Sequence, residues 1–227
     1  MNNKDTAILI FANSAQIEAE RKPIKSAETL FKTLNTEVES KVKNAGSPYF
    51  IISEDKQIGD SFGERFTNAI QTIFNKGFVN IITVGNDTPH LKTAHINETI
   101  AKLQTNNLVI GPSQDGGFYL MGISKHVFNA EAFKKLPWQT SALTKTFLNL
   151  ASKKNISFTT LERLYDIDDL QDIKDIINNF RSLSKALTTL LINSIITKEK
   201  TICFTHLPFN SLSLSSYFNK GSPQLVM

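Results

Sequence analysis

Residues 7–12 read Ala7-Ile8-Leu9-Ile10-Phe11-Ala12, an apolar run with no polar side chain to give to solvent. Side chains of a strand alternate between two faces, so such a run is stable as a strand only when both faces are covered, as in a parallel sheet between helices. Similar runs follow at 49–53, 80–84 and 107–110. Between them the apolar residues change to helical spacing. Leu30, Phe31, Leu34 and Val38 do so within 27–42, and Phe66, Ala69, Ile70 and Ile73 within 63–75. Ile96, Ile100 and Leu103 do so within 93–103, where Thr93 is expected to cap the helix. Gly46-Ser47-Pro48 stops the first of these helices. Strands alternating with helices imply βαβ units, hence an α/β, Rossmann-like fold with a mostly parallel central sheet and helices on both faces. Downstream, 118–123 reads as a further strand, 141–151 as a helix, 156–161 as a short strand and 169–180 as a closing helix.

A chain of 227 residues suits one domain, large enough to bury about 70% of the surface its unfolded form exposes. The lone Cys203 excludes an internal disulfide and a multi-cysteine zinc site, and suits a reducing compartment. The run 7–12 is too short for the apolar region of a signal peptide, and the stretch 186–196, broken by Thr and Asn, is too short to cross a bilayer. A cytoplasmic setting without a membrane partner is expected. Net charge is +4, and all of it falls in 181–227, where Arg181, Lys185, Lys198, Lys200 and Lys220 face only Glu199. Residues 1–180 are neutral, with no clustered basic face of the kind that binds nucleic acid. The expected organisation is a body at 1–180, then a C-terminal helix and a basic, Ser-rich extension at 181–227.

In open α/β sheets ligands bind beyond the carboxyl ends of the strands, so the loops after the apolar runs are where chemistry is sought. Gly85-Asn86-Asp87-Thr88-Pro89-His90-Leu91 presents Asp87 at a strand end. A carboxylate there suits Mg²⁺ or Mn²⁺, which takes few protein ligands beside phosphate and water; the other reading is a cap for the next helix. His90 reads as a partly exposed loop residue, with metal ligation or a titrating switch as the other reading. Gly111-Pro112-Ser113-Gln114-Asp115-Gly116-Gly117 brings an acid and two glycines to another strand end. The glycines let backbone approach a ligand, or the Asp-Gly pair simply makes a hairpin turn. In Tyr165-Asp166-Ile167-Asp168-Asp169-Leu170-Gln171-Asp172, Asp166 and Asp168 alternate and so face the same way on an extended segment. Asp168 or Asp169 also suits the start of the following helix.

Taken in order, these motifs resemble the bacterial glycosyltransferase-A-like family known as transferase 1, associated with radical-SAM and selenodomain proteins. The resemblance runs from about Gln57 to Ile173. It rests on Gly63-Glu64-Arg65, on Gly85 to Leu91, and on Gly111 through Gly122 with its Asp-Gly-Gly-Phe-Tyr-Leu-Met-Gly core. Pro137-Trp138-Gln139-Thr140 and the acidic stretch 166–172 complete it. The likeness implies a nucleotide-diphospho-sugar transferase (GT-A) fold and a Mg²⁺ or Mn²⁺ cofactor. It also implies a nucleotide or nucleotide-sugar ligand and a small-molecule acceptor. Carried over by position, Asp87 becomes the principal metal or diphosphate carboxylate and Asp168 a second metal-facing acid. Asp115 comes to line the sugar or acceptor pocket, where its carboxylate is expected to accept the acceptor's proton as general base. Gly116, Gly117, Trp138, Thr140 and Arg65 line the ligand pocket.

The sequence departs from the family at three places. Residues 13–25, Asn-Ser-Ala-Gln-Ile-Glu-Ala-Glu-Arg-Lys-Pro-Ile-Lys, lack the glycine of the usual phosphate-wrapping loop and carry Glu18 and Glu20. They read as an exposed, charge-mixed loop in which Arg21, Lys22 and Lys25 remain available to phosphate. His90 stands where an acid is usual, and Asp169-Leu170 replaces Thr-Pro. The sequence therefore supports a glycosyltransferase first. A nucleotidyltransferase acting on a sugar phosphate or small acid is the second reading, and a non-catalytic protein that keeps the fold is the third.

Overall fold

The structure, a computed structural model, describes residues 5–179 and 182–196. Six strands form one sheet in the order β2-β1-β3-β5-β4-β6. They are β1 (Thr6–Phe11), β2 (Tyr49–Ile52), β3 (Asn80–Val84), β4 (Leu108–Pro112), β5 (Phe118–Ser124) and β6 (Phe158–Thr160). β5 runs antiparallel to both its neighbours, β3 and β4, and the other pairs are parallel. The sheet is therefore mostly parallel, as its apolar runs require. β4 and β5 form a hairpin, so the glycine-rich turn and its acid sit at the carboxyl end of β4.

The described helices are α1 (Ala15–Arg21), α2 (Ala27–Asn44), α3 (Phe62–Phe74), α4 (Thr93–Lys102), α5 (Ala130–Lys134), α6 (Leu143–Lys153), α7 (Leu170–Asn178) and α8 (Lys185–Ile195). Both faces of β1 are covered, each by a different set. Ala7, Leu9 and Phe11 pack with Phe66, Ile70 and Phe74 of α3 and with Phe147 of α6. Ile8 and Ile10 pack with Val38 and Val42 of α2 and Ile96 of α4. A third core joins Leu30 and Phe31 of α2 to Ile173 and Ile176 of α7 and to Leu187 and Leu191 of α8.

Thr93 is not the cap of α4. Lys92 holds the cap position, and the Thr93 hydroxyl instead donates to the carbonyl of Lys41 at 3.0 Å, tying α4 to α2. Among the described residues no helix is long and apolar enough to cross a membrane. The basic, Ser-rich extension, Cys203 and the expected helix end at Phe180 lie outside the described residues.

Candidate functional site

The loops that leave β3, β4 and β6 meet because backbone bonds stitch them together, and the Asn86 side chain, donating to Asn13 O at 3.3 Å, joins the loop after β1 to them. The pairing of β4 with β6 continues beyond the strands: Leu164 N donates to Pro112 O at 3.1 Å and Gln114 N to Leu164 O at 3.0 Å. Three residues on, Ile167 N donates to Asp87 O at 2.9 Å. Ile167 is fully buried against α2 and α7, which leaves Asp166 and Asp168 on its two sides to turn the opposite way. They turn into a cleft of about 590 Å³ at the strand ends, within the usual range of small-molecule sites.

The polar wall of this cleft is organised by Lys22. Residues 13–25, expected as an exposed loop, fold instead around the helix α1. Ser14 caps it by accepting from Ile17 N at 3.4 Å, and its own N–H donates to Glu54 at 2.7 Å. Glu18 lies on the inner face, buried, where Asn13 donates to it at 2.8 Å. One turn later Lys22 lies just past the helix end, its side chain 12% exposed. Its Nζ is 3.1 Å from Asp87 Oδ2, 3.0 Å from Asp168 Oδ1 and 3.6 Å from Glu18 Oε2. It also donates to Ile167 O at 2.5 Å and lies 4.9 Å from the centre of the Phe31 ring. Burial disfavours this ammonium, but Asp87, Asp168 and Glu18 together override burial and hold its pKa above the ordinary lysine value.

The carboxyls answer differently. Burial pushes Glu18 up, against the pull of Lys22 and Asn13. Burial also raises Asp168, with Lys22 opposing and Asp87 reinforcing. Because the Asp168 side chain is 60% exposed, solvent screening weakens that push. Asp166 is raised well above the usual carboxyl value, first by desolvation and then by the negative charge of Asp87; the Thr88 hydroxyl, which donates to it, resists. Asp115 sits at the hairpin turn, where Ser113 Oγ and Gly117 N, the latter at 2.9 Å, both donate to its Oδ1.

The other wall is aromatic. Trp138 packs against Phe62, Phe66, Phe118 and Phe133, with ring centres 5.2 to 6.2 Å apart. Its indole N–H donates to Phe133 O at 2.7 Å. A Cβ on Gly63 would lie 2.4 Å from the Trp138 ring, so the glycine of the Gly-Glu-Arg helix start is there to admit the tryptophan. The next two residues of that motif have separate tasks. Glu64 closes the capping box with Ser61 at the start of α3, and Arg65 reaches the cleft.

Asp87, Asp115, Asp168, Gly117, Arg65, Trp138 and Thr140 all line this one cleft. Gly116 is not among the lining residues. Its φ of +95° and the closeness of Ser141, whose carbonyl oxygen would stand 2.1 Å from an added Cβ, assign it to joining the hairpin turn to the segment before α6. His90 is buried, at 2% exposure, rather than partly exposed, and does not line the cleft. Lys22, Glu18 and Asp166 are among the cleft residues that the motifs did not select as site residues. The signal for Asp166 was its alternation with Asp168; for Lys22 it was the Glu18–Lys22 spacing of four on a Ser-capped helix.

The two carboxylates expected to share a divalent ion do meet, and hard oxygen donors suit Mg²⁺ or Mn²⁺. The place between them is nevertheless taken by the Lys22 ammonium. Among the described residues, no group of three or more His, Cys, Asp or Glu is placed to hold a metal. The residues as they stand do not fit a metal.

Comparison with known proteins bears on the fold. A family model described as "Uncharacterized protein conserved in bacteria" (DUF2064) matches residues 35–140, a span that holds β3, the Asp87 loop and the β4–β5 hairpin. The structure is similar to that of a presumed nucleotide-diphospho-sugar transferase from Desulfovibrio desulfuricans G20. The TM-score is 0.73 and the identity 19%, over 84% of this chain and 95% of that one. More distant likenesses, each with a TM-score of 0.46, include Rv0371C of Mycobacterium tuberculosis H37Rv in complex with manganese, at 12% identity over 77% of this chain and 98% of that one. Another is 4-diphosphocytidyl-2C-methyl-D-erythritol synthase from Anaerococcus prevotii DSM 20548, at 11% identity over 85% of this chain and 97% of that one. No curated protein matches the sequence. The fold is that of the nucleotide-diphospho-sugar transferases.

Proposed function

We propose that this chain is a transferase whose cleft takes a nucleotide-diphosphate sugar and passes the sugar to a small-molecule acceptor in the cytoplasm. We place it with the radical-SAM- and selenodomain-associated glycosyltransferase-A-like proteins that its motifs resemble. The observation that carries the reading is the meeting of Asp87, Asp115 and Asp168 in one cleft, although they come from loops after three different strands. A cleft walled on one side by aromatic rings and on the other by fixed charges suits a ligand with an apolar ring face and a charged, hydroxylated part.

In this reading Asp115 accepts the proton of the acceptor hydroxyl as that oxygen bonds the anomeric carbon and the nucleoside diphosphate departs. The bonds from Ser113 and Gly117 hold the carboxylate in place for that task. Arg65, Gly117, Trp138 and Thr140 contact the ligand. The expected Mg²⁺ or Mn²⁺ between Asp87 and Asp168 would require Lys22 to leave. Nucleotidyl transfer is less well supported, because α1 occupies the position of a glycine-rich phosphate loop.

The test is ligand-induced thermal stabilisation with UDP, GDP, CDP and dTDP. One diphosphate supplied at about 100 times its Kd should stabilise the protein by about 2.7 kcal/mol, and Asp87→Ala should abolish the effect. Silence across the panel would favour a non-catalytic binding protein. Pyrophosphate release from a nucleoside triphosphate would favour the nucleotidyltransferase.

A further inference from the structure

We propose that the cation of this cleft is the chain's own Lys22 ammonium, standing where a divalent metal between Asp87 and Asp168 would stand, so that the site works without a metal. An ammonium has three protons to donate. Here Asp87 Oδ2 at 3.1 Å, Asp168 Oδ1 at 3.0 Å and the Ile167 carbonyl at 2.5 Å supply three acceptors. Glu18 at 3.6 Å supplies a further negative charge on the helix side, and the Phe31 ring covers the group at 4.9 Å. That set resembles a coordination shell: carboxylates from two loops and a backbone oxygen, all on one positive centre. A metal bound to the same carboxylate oxygens would sit about 2.0–2.1 Å from each, within the space the nitrogen fills and against a like charge.

Lys22 is not a loose surface side chain that happens to swing in. Its carboxylate partners are approached along a stem that is 12% exposed. The short helix behind it is fixed at its start by the Ser14 cap and the Ser14–Glu54 bond, and the chain after it by the burial of Ile24 and Ala27. Leaving would strand Glu18, buried at 5% exposure, without its cation. The departure of 13–25 from a glycine-rich loop acquires a purpose on this account, since a helix delivers one lysine to one place where a flexible loop would not. Arg21 and Arg65, which line the same cleft, are the other cations a phosphorylated ligand would meet.

This rests on the proposed nucleotide reading only for what the cation serves; its presence is tested with metal alone. Titration of the wild-type protein with Mn²⁺, followed by the electron paramagnetic resonance signal of free Mn²⁺, should show no site, and Mn²⁺ should not shift the melting temperature. Lys22→Met, which keeps the stem and removes the charge, should bind Mn²⁺ at least about tenfold more tightly than wild type and regain thermal stability in its presence. Lys22→Arg should stay silent. Stoichiometric Mn²⁺ binding by the wild type, lost in Asp87→Asn, would overturn the proposal without recourse to the Lys22 variants. In a second arm, the nucleoside diphosphate that stabilises the wild type should do so equally with EDTA and with Mn²⁺. Binding seen only with Mn²⁺ would overturn the metal-free assignment. If no diphosphate binds under either condition, the nucleotide reading fails and the Mn²⁺ titration alone decides the cation.

Discussion

On one side of the cleft Phe62, Phe66, Phe118 and Trp138 pack ring against ring, while on the other Lys22 draws Asp87, Asp168 and Glu18 onto a single nitrogen. The first wall is continuous with the core beneath the sheet and gains stability by removing apolar surface from water. The second gathers charges from α1 and two loops, ranging from the buried Glu18 to the exposed Asp168, and where such pairs are buried they offset their own desolvation at best. Fold stability and site chemistry are thus divided between the two walls. Substitutions on the aromatic side should lower stability, whereas loss of a raised carboxyl on the polar side should raise it.

The largest effect is expected where the aromatic wall is opened. Trp138→Ala removes four ring contacts and the bond to Phe133 O, and should cost about 3 kcal/mol in a urea unfolding experiment. A cost under about 1 kcal/mol would place the wall's stability elsewhere than in the rings. A smaller effect should follow from Ser61→Ala. The Ser61–Glu64 capping box starts the helix that carries Phe62, Arg65 and Phe66 into the cleft, and losing its hydroxyl should cost about 1 kcal/mol. An unchanged urea midpoint would mean that packing alone positions α3.

The sheet and the helices that cover it were the legible parts of the sequence. β1, β3 and α2 announce themselves through periodicity, because each meets the core along its whole length. The Asp87 and Asp115 loops were legible as strand-end acids. Three things were not. The helix α1 is short, and its mixed charges read as an exposed loop although Ser14 caps it. Lys22 reaches its acceptors across 65 and 145 positions of chain, a convergence that local patterning does not carry. Thr93 looked like a cap because its hydroxyl suits one, but a carbonyl on the neighbouring α2 claimed that hydroxyl. In each case a tertiary contact decided among locally equal alternatives.

Asp166→Asn tests the polar wall from the opposite direction, with the mildest change in shape and the smallest effect at acidic pH. The folded-state pKa of Asp166 is raised above its ordinary value near 3.8 by desolvation and by Asp87. The folded protein therefore holds this proton more tightly than the unfolded chain does. That contribution is fully present below the unfolded value and is lost as pH rises through the folded one. Asn resembles the protonated acid in shape, can still accept from the Thr88 hydroxyl, and loses nothing as pH rises. Wild type and variant should thus unfold at nearly the same urea concentration at about pH 4, and the variant should become the more stable by about pH 8. Burial likewise raises Glu18 and Asp168, so the wild-type profile mixes several carboxyls, and only the difference between the two proteins isolates Asp166. A variant less stable than wild type at about pH 8 would mean that ionised Asp166 is held by a cation in the cleft. Lys22, whose bonds go to Asp87, Asp168 and Ile167, would then have a wider reach than its shell of acceptors implies.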